Sequence, residues 1–166
     1  IICNADPPMV YKHLLKVNQE QSMGFKKWFP SRLTNYSMGL YVLFFGTTIK
    51  YEKVAHHNIW LTVLFEYILS DIFYRKTLTE YFSLYIHRPT ATDTSFAPPN
   101  CDSFYVLCPV PNLRASIDWD VEGKGLRDRI VMALSKTILP KLEDYITAEH
   151  WMTPREFKEN YRCAYG

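Results

Sequence analysis

Met38-Gly39-Leu40-Tyr41-Val42-Leu43-Phe44-Phe45 is apolar at both sets of alternating positions. Successive side chains of a strand point to opposite faces, so a run that is apolar on both predicts an interior strand covered on each side. Gly46 and Thr47 end it. A strand of this kind needs partners, and the flanking sequence offers them. A short strand is expected over residues 57–60. At residues 82–87, Phe82, Leu84 and Ile86 alternate with Ser83, Tyr85 and His87, the pattern of a half-buried strand. Residues 104–108 form another, stopped by Pro109-Val110-Pro111. Residues 89–101, rich in Pro, Thr and Ser, read as a loop that makes these two strands antiparallel neighbours. A last strand is expected over residues 145–151.

Helical periodicity appears between the strands. Leu61, Leu64, Phe65, Ile68, Leu69, Ile72 and Phe73 recur at three- and four-residue steps, with Thr62, Glu66, Ser70, Asp71 and Arg75 opposite them. After an Asp118-Trp119 turn, Leu126, Ile130, Leu134 and Ile138 share one side of a helix that Pro140 closes. Thr153-Pro154-Arg155-Glu156 has the form of a capping box. At the other end of the chain, residues 1–4 read as the end of a buried strand. Asp6 is placed to cap a helix with Pro7 in its first turn, and Val10, Leu14 and Val17 would form that helix's apolar face. Residues 18–35 are a connection.

Composition bounds what such a chain can do. Its 166 residues suffice for one domain with a core, or for a piece of a larger one. At 48% hydrophobic the chain is too apolar for disorder. Twelve Tyr and ten Phe suit a packed core or the wall of a large apolar ligand site, and composition alone favours the core. Nineteen basic residues against seventeen acidic ones leave no electrostatic footprint for nucleic acid. Cys3, Cys101, Cys108 and Cys163 make no CxxC pair, so neither a zinc site nor a disulfide framework is expected, and reduced thiols are the simpler reading. The longest apolar stretch, residues 59–73, is broken by Glu66 and Asp71 and is too short to cross a bilayer. The chain starts without Met or a basic leader, and a truncated start is expected.

Four clusters invite a chemical reading. His56-His57 suggests a metal, but neighbours on a strand point to opposite faces, so the pair is expected not to chelate one ion and no metal ligand is assigned. Glu122-Gly123-Lys124-Gly125 lacks a preceding strand and a third Gly, and reads as a turn leading into a helix, not a dinucleotide fingerprint. Residues 24–33 mix Lys26, Lys27 and Arg32 with Phe25, Trp28, Phe29 and Leu33, which suits a membrane interface or an exposed linker equally. His87-Arg88-Pro89-Thr90-Ala91-Thr92-Asp93 gathers polar and titratable groups where a strand leaves the sheet, as a site would. Local bonding by Asp93 and the Thr hydroxyls, a self-satisfied loop, is the simpler physical reading.

That last cluster sits in residues 82–111, from Phe82-Ser83-Leu84-Tyr85-Ile86 through Asn100-Cys101-Asp102 to Pro109-Val110-Pro111. The whole stretch closely resembles bacterial-type phytoene desaturases. Tyr41-Val42-Leu43-Phe44-Phe45-Gly46, Ala55-His56-His57, Ile117-Asp118-Trp119, Val121-Glu122-Gly123, Leu126-Arg127-Asp128-Arg129-Ile130 and Thr153-Pro154 resemble the family in the same order. The sequence departs from it after His57, where the family has a Gly-Pro turn, and at Tyr165, where a His is expected.

The resemblance implies an amine-oxidase-like flavoprotein. The fold class it implies is α+β, a mixed, largely antiparallel sheet with flanking helices, plus short pieces of a Rossmann-type FAD domain. Residues 1–17 would be a re-entrant piece of that FAD domain, with Asn4, Ala5 and Asp6 beside the cofactor. Residues 36–150 would be the substrate domain and 151–166 the return. Tyr85, His87, Arg88, Thr90 and Asp93 would lie on the substrate side, with no catalytic acid or base assigned. FAD would be held mainly by segments absent from this chain, and the reaction would be dehydrogenation of phytoene or a related carotenoid by hydride transfer to the flavin. The family likeness further implies a cytoplasmic protein peripheral to the inner membrane. The competing reading is a non-catalytic module that binds an apolar ligand or a membrane surface.

Overall fold

A computed structural model of the chain describes residues 2–14 and 35–166. It is built on one five-stranded sheet: β1 (Gly39–Thr47), β2 (His57–Trp60), β3 (Leu84–His87), β4 (Asp102–Val110) and β5 (Ile146–Met152). The spatial order is β2-β3-β4-β1-β5. Every pairing in it is antiparallel, so the sheet is not mixed. Antiparallel neighbours can be joined by a loop such as residues 88–101, whereas a parallel pair would need a crossover on one face. As expected, β1 lies inside the sheet, between β4 and β5, with Tyr41, Val42 and Leu43 fully buried. Phe44 is its one opening, at 36% exposed.

Pro109 does not stop β4, which runs on to Val110 with Pro109 opposite Leu40. The ladder with β3 ends at Leu107, so on that edge a missing N–H beyond it breaks no bond.

The helices are α1 (Pro7–Met9), which continues in a π-helical turn to Leu14, α2 (Phe65–Ser70), likewise continued to Arg75, α3 (Trp119–Lys136), α4 (Leu142–Tyr145) and α5 (Pro154–Tyr161). The core lies between α3 and one face of the sheet. Tyr41, Leu43 and Phe45 of β1, Leu84 and Ile86 of β3, and Phe104, Val106 and Cys108 of β4 meet Leu126, Ile130, Val131 and Leu134 of α3. Burial pushes the Cys108 thiol up to about 12, leaving it a small apolar filler and not a nucleophile. Ile138, placed on the same stripe by periodicity, lies past the end of α3 and is 39% exposed.

Gly123 and Gly125 fall inside α3, which starts at the Asp118 cap, so they do not form a turn. Gly123 packs against the sheet at ordinary contact distance. A Cβ on it would come within 3.4 Å of the Trp151 indole nitrogen, and the Tyr41 hydroxyl donates to its carbonyl at 3.0 Å.

The helix expected over residues 61–73 begins only at Phe65. Upstream, the Thr62 N–H donates to Ser83 Oγ at 3.4 Å, and the Leu64 N–H to Thr62 Oγ1, which ties this backbone to side chains and not to a helical ladder. Only Ile68 and Ile72 of the expected stripe are buried, while Leu61, Phe65 and Phe73 face outward.

Residues 2–4 are exposed and form no strand, because no strand among the described residues lies beside them to complete a ladder. Asp6 occupies the cap position of α1 without capping it; its carboxylate instead accepts the Ala164 N–H. That bond ties the first described segment to the last. The capping box at Thr153 forms as expected: the Arg155 N–H donates to Thr153 Oγ1 and the Thr153 N–H to Glu156 Oε2. Val17, most of the 18–35 connection and the basic-aromatic residues 24–33 lie outside the described residues.

Candidate functional site

The polar stretch that follows β3 is divided by the geometry of the strand. Alternation sends Leu84, Ile86 and Arg88 toward the core and Tyr85 and His87 to the opposite face. Arg88 is buried, and its Nε donates to Asp102 Oδ2 at 2.9 Å and its Nη1 to the Val54 carbonyl at 2.8 Å. Thr90 Oγ1 donates to Asp102 Oδ1 at 2.6 Å, and the Tyr51 N–H to Asp102 Oδ2 at 2.7 Å. The Asp102 side chain is wholly buried and holds all three. This hub carries no signal in one-dimensional pattern, since its partners lie 12 to 51 residues away. Asp93 is exposed and accepts the Ser95 N–H at 2.9 Å; hydrogen bonding by the Ser95 side chain, and then by its backbone, holds the carboxyl below the usual range. The self-satisfied loop is therefore correct for Asp93. Thr90 bonds across the fold and not to local backbone.

Tyr85 and His87 belong to a different assembly. On the face away from α3, aromatic and imidazole rings form a row that crosses all five strands. His150 of β5 stacks on Phe44 of β1, with ring centres 6.4 Å apart, and Phe44 meets Tyr105 of β4 edge-on at 5.3 Å. Tyr105 in turn meets Tyr85 at 6.2 Å and His87 at 6.3 Å. His57 of β2 closes the row, 5.9 Å from Tyr85 and 5.2 Å from His87. Edge-on and offset contacts of this kind are the preferred geometry of aromatic pairs. The row is only half-covered, and burial, followed by the neighbouring Tyr85 phenol, pushes the Tyr105 hydroxyl up. The sequence places Phe44, Tyr105 and His150 in strands but marks none of them individually as a site residue. The alternation in residues 104–108 that buries Phe104 and Val106 was the available signal for Tyr105.

The histidines correct an expectation. His56 and His57 do not straddle a strand: β2 begins at His57, His56 lies just outside it, and their ring centres are 4.3 Å apart. His87 is paired with His57 across the β2–β3 ladder. Its Nε2 lies 2.8 Å from His56 Nε2. One ring nitrogen from each of the three lies within 4.8 Å of the others. His56 Nδ1 bonds the Thr92 hydroxyl and His57 Nδ1 bonds Tyr85 OH at 2.7 Å. Burial, then the neighbouring His56 and His57, hold His87 below its ordinary value of 6.5 and favour its neutral form.

Of the residues expected beside FAD, Asn4 and Ala5 are exposed and Asp6 is engaged with Ala164. Among the described residues there is no parallel βαβ unit and no glycine turn between strand and helix, the geometry that cradles a flavin's diphosphate. Taken alone, the described residues do not fit the cofactor. No helix among them is long and apolar enough to cross a membrane.

No family model matches the chain. Individual proteins do match it. It is 35% identical to a lycopene-forming phytoene desaturase of Pantoea ananas over 100% of this chain and 33% of the relative. It is 38% identical to the lycopene-forming enzyme of Pseudescherichia vulneris with the same coverage. To the neurosporene-forming phytoene desaturase of Rhodobacter capsulatus it is 36% identical, over 100% of this chain and 32% of the relative. The chain thus spans about a third of the length of the curated relatives it matches.

Proposed function

We propose, for a chain that matches the phytoene desaturase family over its full length, that the half-open face of its sheet is the substrate-side wall of such an enzyme. The observation that carries this reading is the unbroken ring row from His150 to His57. A carotenoid precursor is a long hydrocarbon with no polar handle, so its binding energy comes from burying apolar area along its length. A row spanning the width of the sheet offers extended ring contact, with Tyr105 at its centre and the more exposed Phe44 beside it.

In this reading Tyr85 and His87 face the substrate. Arg88 and Thr90 act through Asp102 by holding the exit of β3 in place, and Asp93 shapes the loop beyond. In a protein of the relatives' length, FAD would supply the hydride acceptor. The residues described here orient the chain of the substrate and exclude water from it. The outward-facing Leu61, Val63, Phe65 and Phe73 support a place at the surface of the inner membrane, where such a substrate resides.

The test uses a desaturase of the relatives' length that carries this segment, produced in a host that makes phytoene. Combined Phe44→Ala and Tyr105→Ala substitutions are expected to lower coloured polyene on the order of tenfold or more, from the apolar contact removed. Asp93→Ala is expected to leave it unchanged. Pigment at the unsubstituted level from the stably expressed double variant would overturn the reading.

A further inference from the structure

We propose that His56, His57 and His87 form a three-imidazole binding site for a divalent first-row transition ion of the zinc type. Three ring nitrogens converge from two separate segments, each within 4.8 Å of the others, and the convergence is built into the backbone. His57 and His87 are fixed opposite each other by the β2–β3 register, and the His56 carbonyl accepts the Arg88 N–H at 2.8 Å. The donor set is all nitrogen, with no carboxylate. It suits Zn²⁺, Co²⁺, Ni²⁺ or Cu²⁺ and not the oxygen-seeking Mg²⁺ or Ca²⁺.

The outer contacts favour the same reading. With Nδ1–H of His56 donated to the Thr92 hydroxyl and Nδ1–H of His57 to Tyr85 OH, each ring keeps a bare Nε2 lone pair for an ion. Hydrogen-bonded outer nitrogens of this kind orient metal-binding imidazoles and fix their tautomer. Without an ion, the 2.8 Å approach of the two Nε2 atoms is a hydrogen bond that uses the His87 proton. An ion takes that proton's place, and His87 changes tautomer to carry it on Nδ1. Metal–nitrogen bonds of about 2.0–2.1 Å in a tetrahedron set ligand atoms about 3.4 Å apart, so the two rings part by roughly half an ångström. Exposed His57 and half-buried His56 and His87 have room to do so. Three protein ligands leave the fourth position to water or an exogenous ligand.

The site rests on this chain's own residues and not on the desaturase reading, and its test does not involve activity. The purified chain, with its thiols alkylated to remove Cys3, Cys101 and Cys163 as competitors, is stripped with chelator and titrated with Co²⁺. One equivalent is expected to bind, with the visible absorption of a tetrahedral, nitrogen-ligated cobalt and a rise in the unfolding midpoint. His57→Ala and His87→Ala are expected to abolish both signals, and Thr92→Val and Tyr85→Phe to weaken binding about tenfold or more. His13→Ala, a substitution of a surface histidine elsewhere, is expected to bind as the unsubstituted chain does. Circular dichroism of each variant separates loss of ligand from loss of fold. Absence of saturable binding in the unsubstituted chain would overturn the proposal, as would binding that persists unchanged in folded His57→Ala and His87→Ala.

Discussion

The two faces of the sheet are made by the same alternation and are finished in opposite ways. On the closed face, Leu84, Ile86, Phe104 and Val106 meet α3, and the polar groups that reach that side, Arg88, Thr90 and Asp102, are buried and fully engaged with one another. On the open face, Tyr85, His87, Phe44 and Tyr105 stack in a row that no element among the described residues fully covers. A charge on the first face must be satisfied inside the protein, because water cannot reach it. A ring on the second remains available to a partner. Successive residues of β3 thus face the packed interior and the half-open surface in turn.

The comparison can be broken most severely at Asp102. Asp102→Ala leaves the Arg88 guanidinium buried without its carboxylate, and strips the acceptor from Thr90 and from the Tyr51 N–H. A destabilisation of about 3–5 kcal/mol is expected, read from urea unfolding. A smaller loss there would mean that water enters beside Arg88. The faces themselves are compared by one truncation on each. Ile130→Ala opens a cavity under the sheet and is expected to cost about 2–5 kcal/mol, while Tyr105→Ala on the open side is expected to cost about 1 kcal/mol. Equal costs would show that both faces are packed alike, and would remove the distinction.

The smallest effect is one of pH. His87 is held below its ordinary value of 6.5, first by burial and then by His56 and His57. The unfolded chain therefore takes up the proton first. The stability tied to the neutral ring is present above that value and is lost as pH falls through the lowered folded one. The unfolding midpoint is expected to decline as pH falls below the ordinary value of 6.5, and His87→Gln is expected to flatten that part of the profile. A profile unchanged by the substitution would place the acid sensitivity elsewhere.

Much of the sheet was legible from local pattern. The strand at residues 57–60 matches β2, the run at 38–45 lies in β1 at the interior, and the capping box at Thr153 has its expected bonds, since each depends on neighbours within a few residues. The helix expected over residues 61–73 is present from Phe65 onward and starts late, because periodicity counts apolar spacing but does not register a backbone tied to Ser83, 21 residues away. Gly123 was misjudged for a related reason. Its closeness to Trp151 is set by two elements meeting, not by the glycine's own neighbours in sequence. His56-His57 failed through a boundary: the alternation argument holds only within a strand, and β2 starts one residue too late for it to apply.

What the sequence determined alone was the alternation, and with it which residues share a face once a strand exists. It also carried the family, through motifs in order along the chain. Which strands stand side by side was decided only in the tertiary structure. That is where His56, 31 residues before His87, meets it, and where Asp102 closes on both Arg88 and Tyr51. Periodicity reports the environment of a residue relative to its neighbours in sequence. A hydrogen-bonded hub or a triangle of imidazoles depends on distances across the sheet, which strand order and register alone set.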